Sequence, residues 1–306
     1  MMKELASCAA GMFETVGPER RGPVQFSKMS GHGNDFVIID NREGLSVRDW
    51  PAFAEHLCDR RRSVGADGVL LIESSNQADF KLRIYNADGS EADMCGNGAR
   101  CAALYALRKK IVAPSMIMET GAGAIKATVD GDHASIKLAA VVEVTPPSIL
   151  SLEGTEAVRV YAIDSGVPHA VVFTGNSPDG IAFGSSLKEV PRSVIHQLGK
   201  ELRYHSRWGD QGSNVDFVEI IDRHRILVRT YERGVEGETL ACGTGAVASA
   251  FAARQTGAVT GETVAVDMPG GELSVCFQEG SDRRFEAWLA GKVVYAFEGV
   301  LALEEE

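Results

Sequence analysis

Short apolar runs and alternating segments predict several strands and two buried helices. The runs at residues 36–39 and 69–72 are bounded by Asp and Gly, as is typical of buried strands. Residues 80–85 alternate between apolar and polar positions, which predicts a half-buried strand. Residues 99–107 and 246–253 are apolar on nearly every side, and such helices belong inside a domain.

The chain contains two copies of one sequence unit. An Arg-x-Tyr tripeptide at residues 83–85 precedes Cys95-Gly-Asn-Gly-Ala, and another at 229–231 precedes Cys242-Gly-Thr-Gly-Ala. A strand-like segment and a glycine turn follow the helix in each copy. The common order is therefore strand, turn, Cys-Gly-x-Gly-Ala, helix, strand and glycine turn. Two copies predict two related domains and not a solenoid.

Each copy places a cysteine directly before the glycine-rich start of a helix. The first N–H groups of a helix have no partner within it, and glycines let a ligand approach them. Such a helix end binds carboxylates and lowers the pKa of a nearby thiol. Two of these sites facing one another would hold one carboxylate between two thiols. This arrangement fits removal of an α-proton and its return on the opposite face, with Cys95 and Cys242 as base and acid.

The remaining cysteines and the glycine motifs predict no metal site, disulfide scaffold or dinucleotide-binding site. Cys8, Cys58, Cys101 and Cys276 are each predicted to be small apolar residues. None of the six cysteines belongs to a Cys-x-x-Cys pair, so the sequence predicts neither a zinc site nor a disulfide scaffold. Neither glycine motif fits the G-x-G-x-x-G pattern of dinucleotide-binding proteins.

Composition and charge narrow the class of partner. With 306 residues and 44% hydrophobic content, the chain is large enough for two domains. Its net charge of −11 argues against a nucleic-acid partner, which needs a basic patch. No apolar stretch reaches the ~18 residues of a membrane helix. Residues 1–23 lack a signal core, and we interpret them as a disordered extension. Reduced thiols favour a cytoplasmic location.

Seven ordered segments of the chain resemble diaminopimelate epimerase. They are residues 26–36, 85–91, 94–101, 166–169, 212–217, 231–234 and 241–246. The resemblance implies an α/β (α+β) fold of two pseudo-symmetric domains. Each would be a β-barrel-like sheet wrapped around a central buried helix, with the active site in the interdomain cleft. The N-terminal domain would comprise residues 24–140 plus 288–304, and the C-terminal domain residues 141–287.

The resemblance also implies a role for each matching polar position. Cys95 and Cys242 match the proton donor and acceptor, and the family needs neither pyridoxal phosphate nor a metal ion. The positions that match residues binding the reacting carboxylate are Gly96, Asn97, Gly243 and Thr244. The positions that match residues holding the substrate, several at its distal end, are Asn34, Asn86, Asn214, Glu232 and Arg233. The positions that match residues tuning the thiol pKa values are His169 and Glu232.

Several of these positions have a structural alternative. The asparagines that lie beside Gly, Asp or Ser and could serve turns are Asn34, Asn86 and Asn214. His169 could be a core histidine, and Glu232 and Arg233 could form a surface ion pair. We interpret Asp35 and Asp216, each of which precedes Phe-Val, as structural.

Two departures from the family pattern concern recognition of the distal end of the substrate. Many members have Asn where this chain has Val167, so one substrate-contacting amide is missing. Some members have Gln where this chain has Gly68. Neither departure affects the acid–base pair.

The implied function is a cofactor-independent epimerase that interconverts LL- and meso-diaminopimelate for lysine and peptidoglycan precursor synthesis. The implied partner is a small-molecule amino acid, with no nucleic acid, no membrane and a possible homodimer. The alternative is a same-fold two-cysteine racemase of another amino acid, such as proline. The proline type carries Cys-Gly-His-Gly and Ser-Pro-Cys-Gly-Thr-Gly, which Asn97 and Leu240-Ala241 do not match.

Two further alternatives differ in class. Phenazine-type isomerases share the fold but lack the cysteine pair that this chain carries. The chain could also be a non-catalytic binding module that retains the cleft. The intact residues that argue against a binding module are Cys95, Cys242, His169, Glu232 and Arg233.

Overall fold

The computed structural model describes residues 23–301, except residues 46, 48, 139–140, 153–156, 176–180 and 280–284. The predicted extension at residues 1–23, apart from Pro23, and Cys8 therefore lie outside the described residues. The chain divides into two compact units. Unit 1 consists of the residues up to Ile136 together with those from Lys292 onward, and unit 2 of Lys137–Gly291.

Unit 1 contains strands joined by two helices. In chain order they are β1 (Val24–Gly31), β2 (Asn34–Asp40), α1 (Trp50–Cys58), β3 (Gly68–Glu73), β4 (Phe80–Asn86), β5 (Glu91–Ala92), α2 (Gly96–Arg108), β6 (Ser115–Thr120), β7 (Gly123–Asp130) and β8 (His133–Lys137). The last strand of the chain, β17 (Phe285–Leu301), contributes its final residues to this unit.

The sheet of unit 1 closes on itself. Its strand order is β17–β1–β2–β3–β4–β6–β7–β8, and β8 pairs with β17 again. The pairs β2–β3 and β4–β6 are parallel, because α1 and α2 serve as their crossover connections. The short strand β5 pairs with β4 and is not one of the strands in this order. Eight strands of the described residues thus form a closed barrel.

Unit 2 repeats this order of elements. In chain order they are β9 (Val142–Leu150), β10 (Val158–Asp164), β11 (Pro168–Phe173), α3 (Arg192–Arg203), β12 (Asn214–Asp222), β13 (Arg225–Glu232), β14 (Gly237–Glu238), α4 (Gly243–Gln255), β15 (Thr263–Met268), β16 (Gly271–Glu279) and the first part of β17. Two single-turn 3-10 helices, Leu187–Glu189 and Ser206–Trp208, flank α3.

The sheet of unit 2 has the same strand order as that of unit 1, but its first strand, β9, directly precedes β10, whereas the end of β17 takes that place in unit 1. Its order is β9–β10–β11–β12–β13–β15–β16–β17, and a bridge between Val141 and Phe285 joins its two ends. The parallel pairs are again those whose connections contain helices, β11–β12 and β13–β15. The repeat found in the sequence is therefore a repeat of topology.

Strand alternation decides which residues meet the inner helix of each barrel. In unit 1, Val37 and Val69 pack with α1 on the outer face, so their neighbours Phe36 and Leu70 face the opposite side. In unit 2, Ala170 and Val215 pack with α3, so His169 and Asp216 face the inner side. On this inner side, unit 1 has the apolar residues Phe36 and Leu70 where unit 2 has His169 and Asp216.

The helices inside the barrels are α2 and α4. Ten of the thirteen residues of α2 and nine of the thirteen of α4 are buried, so little more than the ends is exposed. Their many Ala residues favour helix and leave room for close packing against the surrounding strands. Both helices begin at the first glycine after the cysteine, three residues before the predicted starts at 99 and 246. The prediction was short because Gly-x-Gly was taken as an entry loop, whereas it forms the first helical turn.

The predicted fold class is confirmed: the protein is a mixed α/β protein of two repeated units, each with a closed sheet around a buried helix. The predicted strands at 36–39, 69–72 and 80–85 lie within β2, β3 and β4. Within the part of the chain that the structure describes, every helix is too short or too polar to cross a bilayer.

Candidate active site

In unit 1, Cys95 caps the N-terminus of α2. Its backbone is extended, its carbonyl accepts from Ala99 N at 2.8 Å, and its Sγ accepts from Gly98 N at 3.4 Å. The thiol is partly buried. One of the first backbone donors of α2, the N–H of Gly98, thus contacts the sulfur at the helix N-terminus.

A hydrogen-bond network of four polar side chains lies behind Cys95 in unit 1. The thiol lies 3.8 Å from Asn34 Oδ1, and Asn97 Nδ2 donates to the same oxygen at 3.5 Å. Asn97 Oδ1 in turn accepts from Arg100 Nη2 at 2.6 Å. Asp67 fixes the orientation of the Asn34 amide, because Asn34 Nδ2 donates to Asp67 Oδ2 at 2.8 Å. The structure therefore brings together the predicted residues Asn34, Cys95 and Asn97.

Arg100 is a buried cation at this site that the sequence analysis did not single out. Its side chain is 0% exposed, and burial lowers its pKa to about 10, so it stays charged at neutral pH. Nη2 also lies 3.1 Å from His32 Nδ1, whereas Nε and Nη1 have no hydrogen-bond partner within the described residues. A thiolate at Cys101 or Cys95 would raise the pKa of Arg100 electrostatically. Arg100 thus supplies positive charge behind the first turn of α2.

In unit 2, Cys242 caps the N-terminus of α4. Its carbonyl accepts from Ala246 N at 2.9 Å, and its Sγ lies 3.4 Å from Thr244 Oγ1. The residue is 6% exposed, and burial raises the pKa of its thiol well above the usual value. The carboxylates of Glu232 and Asp216 raise this pKa further. In the free protein Cys242 is therefore a protonated thiol at neutral pH.

A chain of hydrogen bonds leads from Cys242 into the inner face of unit 2. Thr244 Oγ1 lies 3.0 Å from His169 Nε2, and His169 Nδ1 lies 2.7 Å from Asp216 Oδ2. The other oxygen of Asp216 accepts from Thr230 Oγ1 at 2.7 Å. His169 and Asp216 are 1% and 0% exposed. Asp216, which the sequence indicates to be structural, contacts His169 directly, and its structural interpretation stays a prediction.

Asn214, Glu232 and Arg233 lie at the strand ends near this chain. Asn214 Nδ2 lies 3.4 Å from His169 Nε2 and donates to Pro168 O at 3.3 Å, while its Oδ1 accepts from Arg233 N at 2.8 Å. Burial raises the pKa of Glu232, which ends β13. Since Glu232 also acts on the thiol of Cys242, unit 2 brings together the predicted residues of its half-site.

Asn86 takes a different environment from the other predicted residues. It ends β4 and is exposed, and its Nδ2 donates to Ser90 Oγ at 3.0 Å in the turn that follows. Its backbone N–H also donates to Ser90 O at 2.8 Å. This geometry fits the turn alternative, and the predicted substrate role of Asn86 stays a prediction.

The remaining cysteines of the described residues lack the features of these two sites. Burial raises the pKa of Cys101 to about 12 and that of Cys58 to about 11, so both stay protonated. Cys276 is partly buried in β16. Among the described residues, no three His, Cys, Asp or Glu side chains are grouped so that they could hold a metal ion.

Comparison with known proteins supports the resemblance seen in the sequence. The family model described as Diaminopimelate epimerase matches residues 26–149 and 161–295. A diaminopimelate epimerase from Aquifex aeolicus (strain VF5) is 39% identical over 299 residues, which cover 92% of this chain and 99% of the relative. The predicted enzyme class, an isomerase of the epimerase type, is thereby confirmed.

Solved structures of other families share the fold. A probable proline racemase from Agrobacterium radiobacter K84 has a TM-score of 0.67 at 16% identity, covering 92% of this chain and 93% of that one. A Bacillus anthracis phenazine biosynthesis protein of the PhzF family has a TM-score of 0.65 at 13% identity, covering 92% and 99%. At such identities the likeness concerns the fold alone.

Proposed function

Because the chain belongs to the diaminopimelate epimerase family, we propose that it interconverts LL- and meso-diaminopimelate with Cys95 and Cys242 as acid and base. The observation that carries this proposal is the matched pair of helix N-termini, each capped by a cysteine. Only these two thiols of the described residues combine a capping position with an adjacent Gly-x-Gly turn.

The proposed reaction exchanges one proton for another at the α-carbon. A thiolate removes the α-proton and becomes a thiol, and the electron pair passes into the adjacent carboxylate. The second thiol then donates its proton to the opposite face and becomes a thiolate, which inverts the stereocentre. The proposal requires both sulfurs to reach the same α-carbon, so loss of either should stop inversion.

The backbone around each cysteine supports binding of the reacting carboxylate. Negative charge that develops on that group is stabilised by N–H donors that are already in place at a helix N-terminus. Gly98 and Gly245 keep these turns compact: a methyl group on Gly98 would lie 3.1 Å from Leu70 Cδ2, and one on Gly245 would collide with Asp216 Oδ1. We assign carboxylate binding to the turns that contain Gly96, Asn97, Gly243 and Thr244.

The distal amino acid head of diaminopimelate needs partners of both charges. Arg233 suits its carboxylate, because a guanidinium can bind a carboxylate through two parallel hydrogen bonds. Glu232 and the asparagine amides suit its ammonium group. The link from Arg233 N to Asn214 Oδ1 supports this assignment, since it fixes the backbone from which the Arg233 side chain starts.

The test is an epimerisation assay on LL- and meso-diaminopimelate without added cofactor, beside lysine, ornithine, proline and histidine. Lysine and ornithine lack the distal carboxylate and would leave Arg233 unpaired. A site built for a polar group rejects an analogue that lacks it by roughly 10⁴-fold in kcat/KM. We therefore expect turnover of diaminopimelate only. Equal turnover of proline or lysine would retain the epimerase class and refute the substrate.

The proposal extends to the setting of the enzyme. We place it in the cytoplasm, acting on a small-molecule substrate in lysine and peptidoglycan precursor synthesis, without nucleic acid or membrane partners and as a homodimer. Light scattering after size-exclusion chromatography should give about twice the 32.7 kDa of one chain. A monomer that retains full activity would refute the dimer and leave the catalytic proposal standing.

A further inference from the structure

Equivalent positions of the two barrels carry apolar residues in unit 1 and polar residues in unit 2. Val69 pairs with Tyr85 and Val215 with Tyr231, so these pairs mark the same register. One residue further along, unit 1 has the pair Leu70–Ile84, where unit 2 has Asp216–Thr230. On the neighbouring strand, Val69 pairs with Val37 and Val215 pairs with Ala170. The residue that precedes each of these partners is Phe36 in unit 1 and His169 in unit 2.

These residues occupy the same place beneath the inner helix. Leu70 and Phe36 approach Gly98 in the first turn of α2, and Asp216 and Thr230 approach the matching Gly245 in α4. Leu70, Asp216 and Thr230 are all 0% exposed. Unit 1 demonstrates that the fold accepts an apolar cluster here. A buried carboxylate costs desolvation free energy that the leucine does not, so packing alone does not account for it.

The hydrogen bonds of Asp216 determine how His169 presents its ring. A carboxylate is acceptor-only, so the ring nitrogen 2.7 Å from Asp216 Oδ2, Nδ1, must carry the proton. In the neutral ring Nε2 is then an acceptor. Asn214 Nδ2, a donor, lies 3.4 Å from the same nitrogen, which agrees with that tautomer. The Thr244 hydroxyl, 3.0 Å away, consequently donates to Nε2, and its oxygen is left to accept from Cys242 Sγ at 3.4 Å.

We propose that Asp216 is a positioning residue for proton transfer at Cys242, acting through His169 and Thr244. The proposal rests on the proposed function for its kinetic consequences. Asp216 fixes the protonated Nδ1 of His169, His169 Nε2 orients the Thr244 hydroxyl, and that hydroxyl orients the thiol. An acceptor-only residue at the far end is what gives the chain one direction, and the positions of unit 1 that match His169 and Asp216 are the apolar residues Phe36 and Leu70.

The first experiment measures the tautomer of His169 directly and needs no substrate. Nitrogen-15 NMR of the full chain labelled at histidine, at pH 8, should show Nδ1 protonated and Nε2 unprotonated, with the signals assigned through a His169→Phe variant. In Asp216→Asn the amide can donate, so we expect the proton to move to Nε2. A wild-type ring protonated at Nε2, or an unchanged tautomer in Asp216→Asn, would overturn the proposal.

The second experiment measures turnover. Loss of a residue that orients a functional side chain typically costs 10- to 100-fold, so kcat of Asp216→Asn should fall about 10- to 100-fold with KM changed less than about threefold. The matched control is Asp267→Asn, which removes a carboxylate of the same unit that pairs with Arg225 at 2.6 Å, and its kcat should be unchanged. Wild-type kcat in Asp216→Asn would contradict the proposal.

A mutant cycle decides the case even if Asp216→Asn does not fold. If Asp216 acts only through His169, then His169→Phe/Asp216→Leu, which installs the unit 1 residues, should turn over within about threefold of His169→Phe alone. A further loss of about tenfold or more would assign Asp216 an independent role and refute the proposal. A wild-type protein that fails to epimerise diaminopimelate would refute the proposed function, whereas the NMR result would still decide the role of Asp216.

Discussion

The sites around Cys95 and Cys242 have the same backbone arrangement and differ in the charged residue that lies behind the thiol. Cys95 and Cys242 both cap a helix with a Gly-x-Gly first turn. Behind Cys95 lies a chain of amides that ends at the buried cation Arg100. Behind Cys242 lies a hydroxyl and imidazole chain that ends at the buried anion Asp216. The repeat has therefore kept the cysteine at the helix N-terminus and changed the charge of the buried residue behind it.

Because of this difference, the thiols of Cys95 and Cys242 have different electrostatic surroundings although they occupy matching positions. Burial and two carboxylates raise the pKa of Cys242, which favours its protonated form. Cys95 is less buried and lies beside a guanidinium that it affects electrostatically. An exchange of protons needs one thiol with its proton and one without. In the proposed reaction, the raised pKa of Cys242 suits it to be the thiol that starts with its proton.

The largest effect should come from the cysteines themselves. Cys95→Ala and Cys242→Ala each remove one of the two proton-transferring groups, so kcat should fall about 10²- to 10⁴-fold in either variant. The measurement is epimerisation that starts from LL- and from meso-diaminopimelate, and a variant that keeps wild-type kcat from both would show that its cysteine is not one of the two proton-transferring groups.

Cys101→Ala is the matched control for both variants. It lies six residues after Cys95, and the matching position of α4 is Ala248, so the substitution installs the residue that the other barrel uses. Turnover should be unchanged, and the free energy of unfolding should fall by about 1 kcal/mol for the lost buried sulfur. A loss of activity as large as that of Cys95→Ala would remove the distinction between capping and core thiols.

Recognition of the distal head should depend on unit 2 more than on unit 1. A charge-assisted hydrogen bond contributes about 1.5–3 kcal/mol, so Arg233→Met should lower kcat/KM for diaminopimelate about 10- to 150-fold. Alkylation of Cys95 and Cys242 by iodoacetamide, measured by peptide mapping, should not change. Asn86→Ala at the matching strand end should have a smaller effect. If Asn86→Ala has the larger effect, the assignment of the distal subsite to unit 2 is wrong.

Removal of the cation should affect Cys95 alone. Arg100→Met keeps the length of the side chain and removes its charge and its bond to Asn97. We expect the alkylation rate of Cys95 to fall about tenfold, because one pKa unit corresponds to about 1.4 kcal/mol of lost thiolate stabilisation. The rate of Cys242 should stay constant and serves as the internal control. Arg108→Met, near the C-terminal end of the same helix, should change neither rate.

The smallest effect is expected at Val167. His169 and Phe36 occupy matching positions that face the inner helix. Val167 lies two residues before His169 and Asn34 two residues before Phe36, so Val167 matches Asn34. Val167→Asn restores the amide that many family members carry, so KM for diaminopimelate should stay constant or fall by up to about threefold, the worth of a weak exposed hydrogen bond. A rise in KM of tenfold would show that this chain has a rebuilt distal subsite.

The sequence predicted the parts of the site that are local in the chain. Cys95 and Cys242 were found because the cysteine, the glycines and the helix are contiguous and occur twice. The starts of α2 and α4 were placed too late, because Gly-x-Gly is normally read as a loop and only burial inside a barrel makes it a first turn.

The residues behind the thiols could not be predicted in the same way. Asp216 contacts His169 across 47 positions of sequence, through a parallel pairing of β11 and β12 that no local pattern records. Arg100 lies near the start of a helix, where charged residues are usually exposed. Nothing in the neighbouring sequence distinguishes a buried arginine from an exposed one. Comparing the two copies position by position would have drawn attention to both, since Leu70 and Val247 stand at the matching places.

The central claim is that two thiols, one on each face, exchange the α-proton. The most direct test is the reaction of LL-diaminopimelate in D₂O with the full chain and no added cofactor, followed by mass spectrometry of substrate and product at low conversion. The account predicts that meso product carries one deuterium at its inverted carbon while recovered LL substrate carries almost none. Rapid appearance of deuterium in recovered LL substrate, before product has formed, would contradict it.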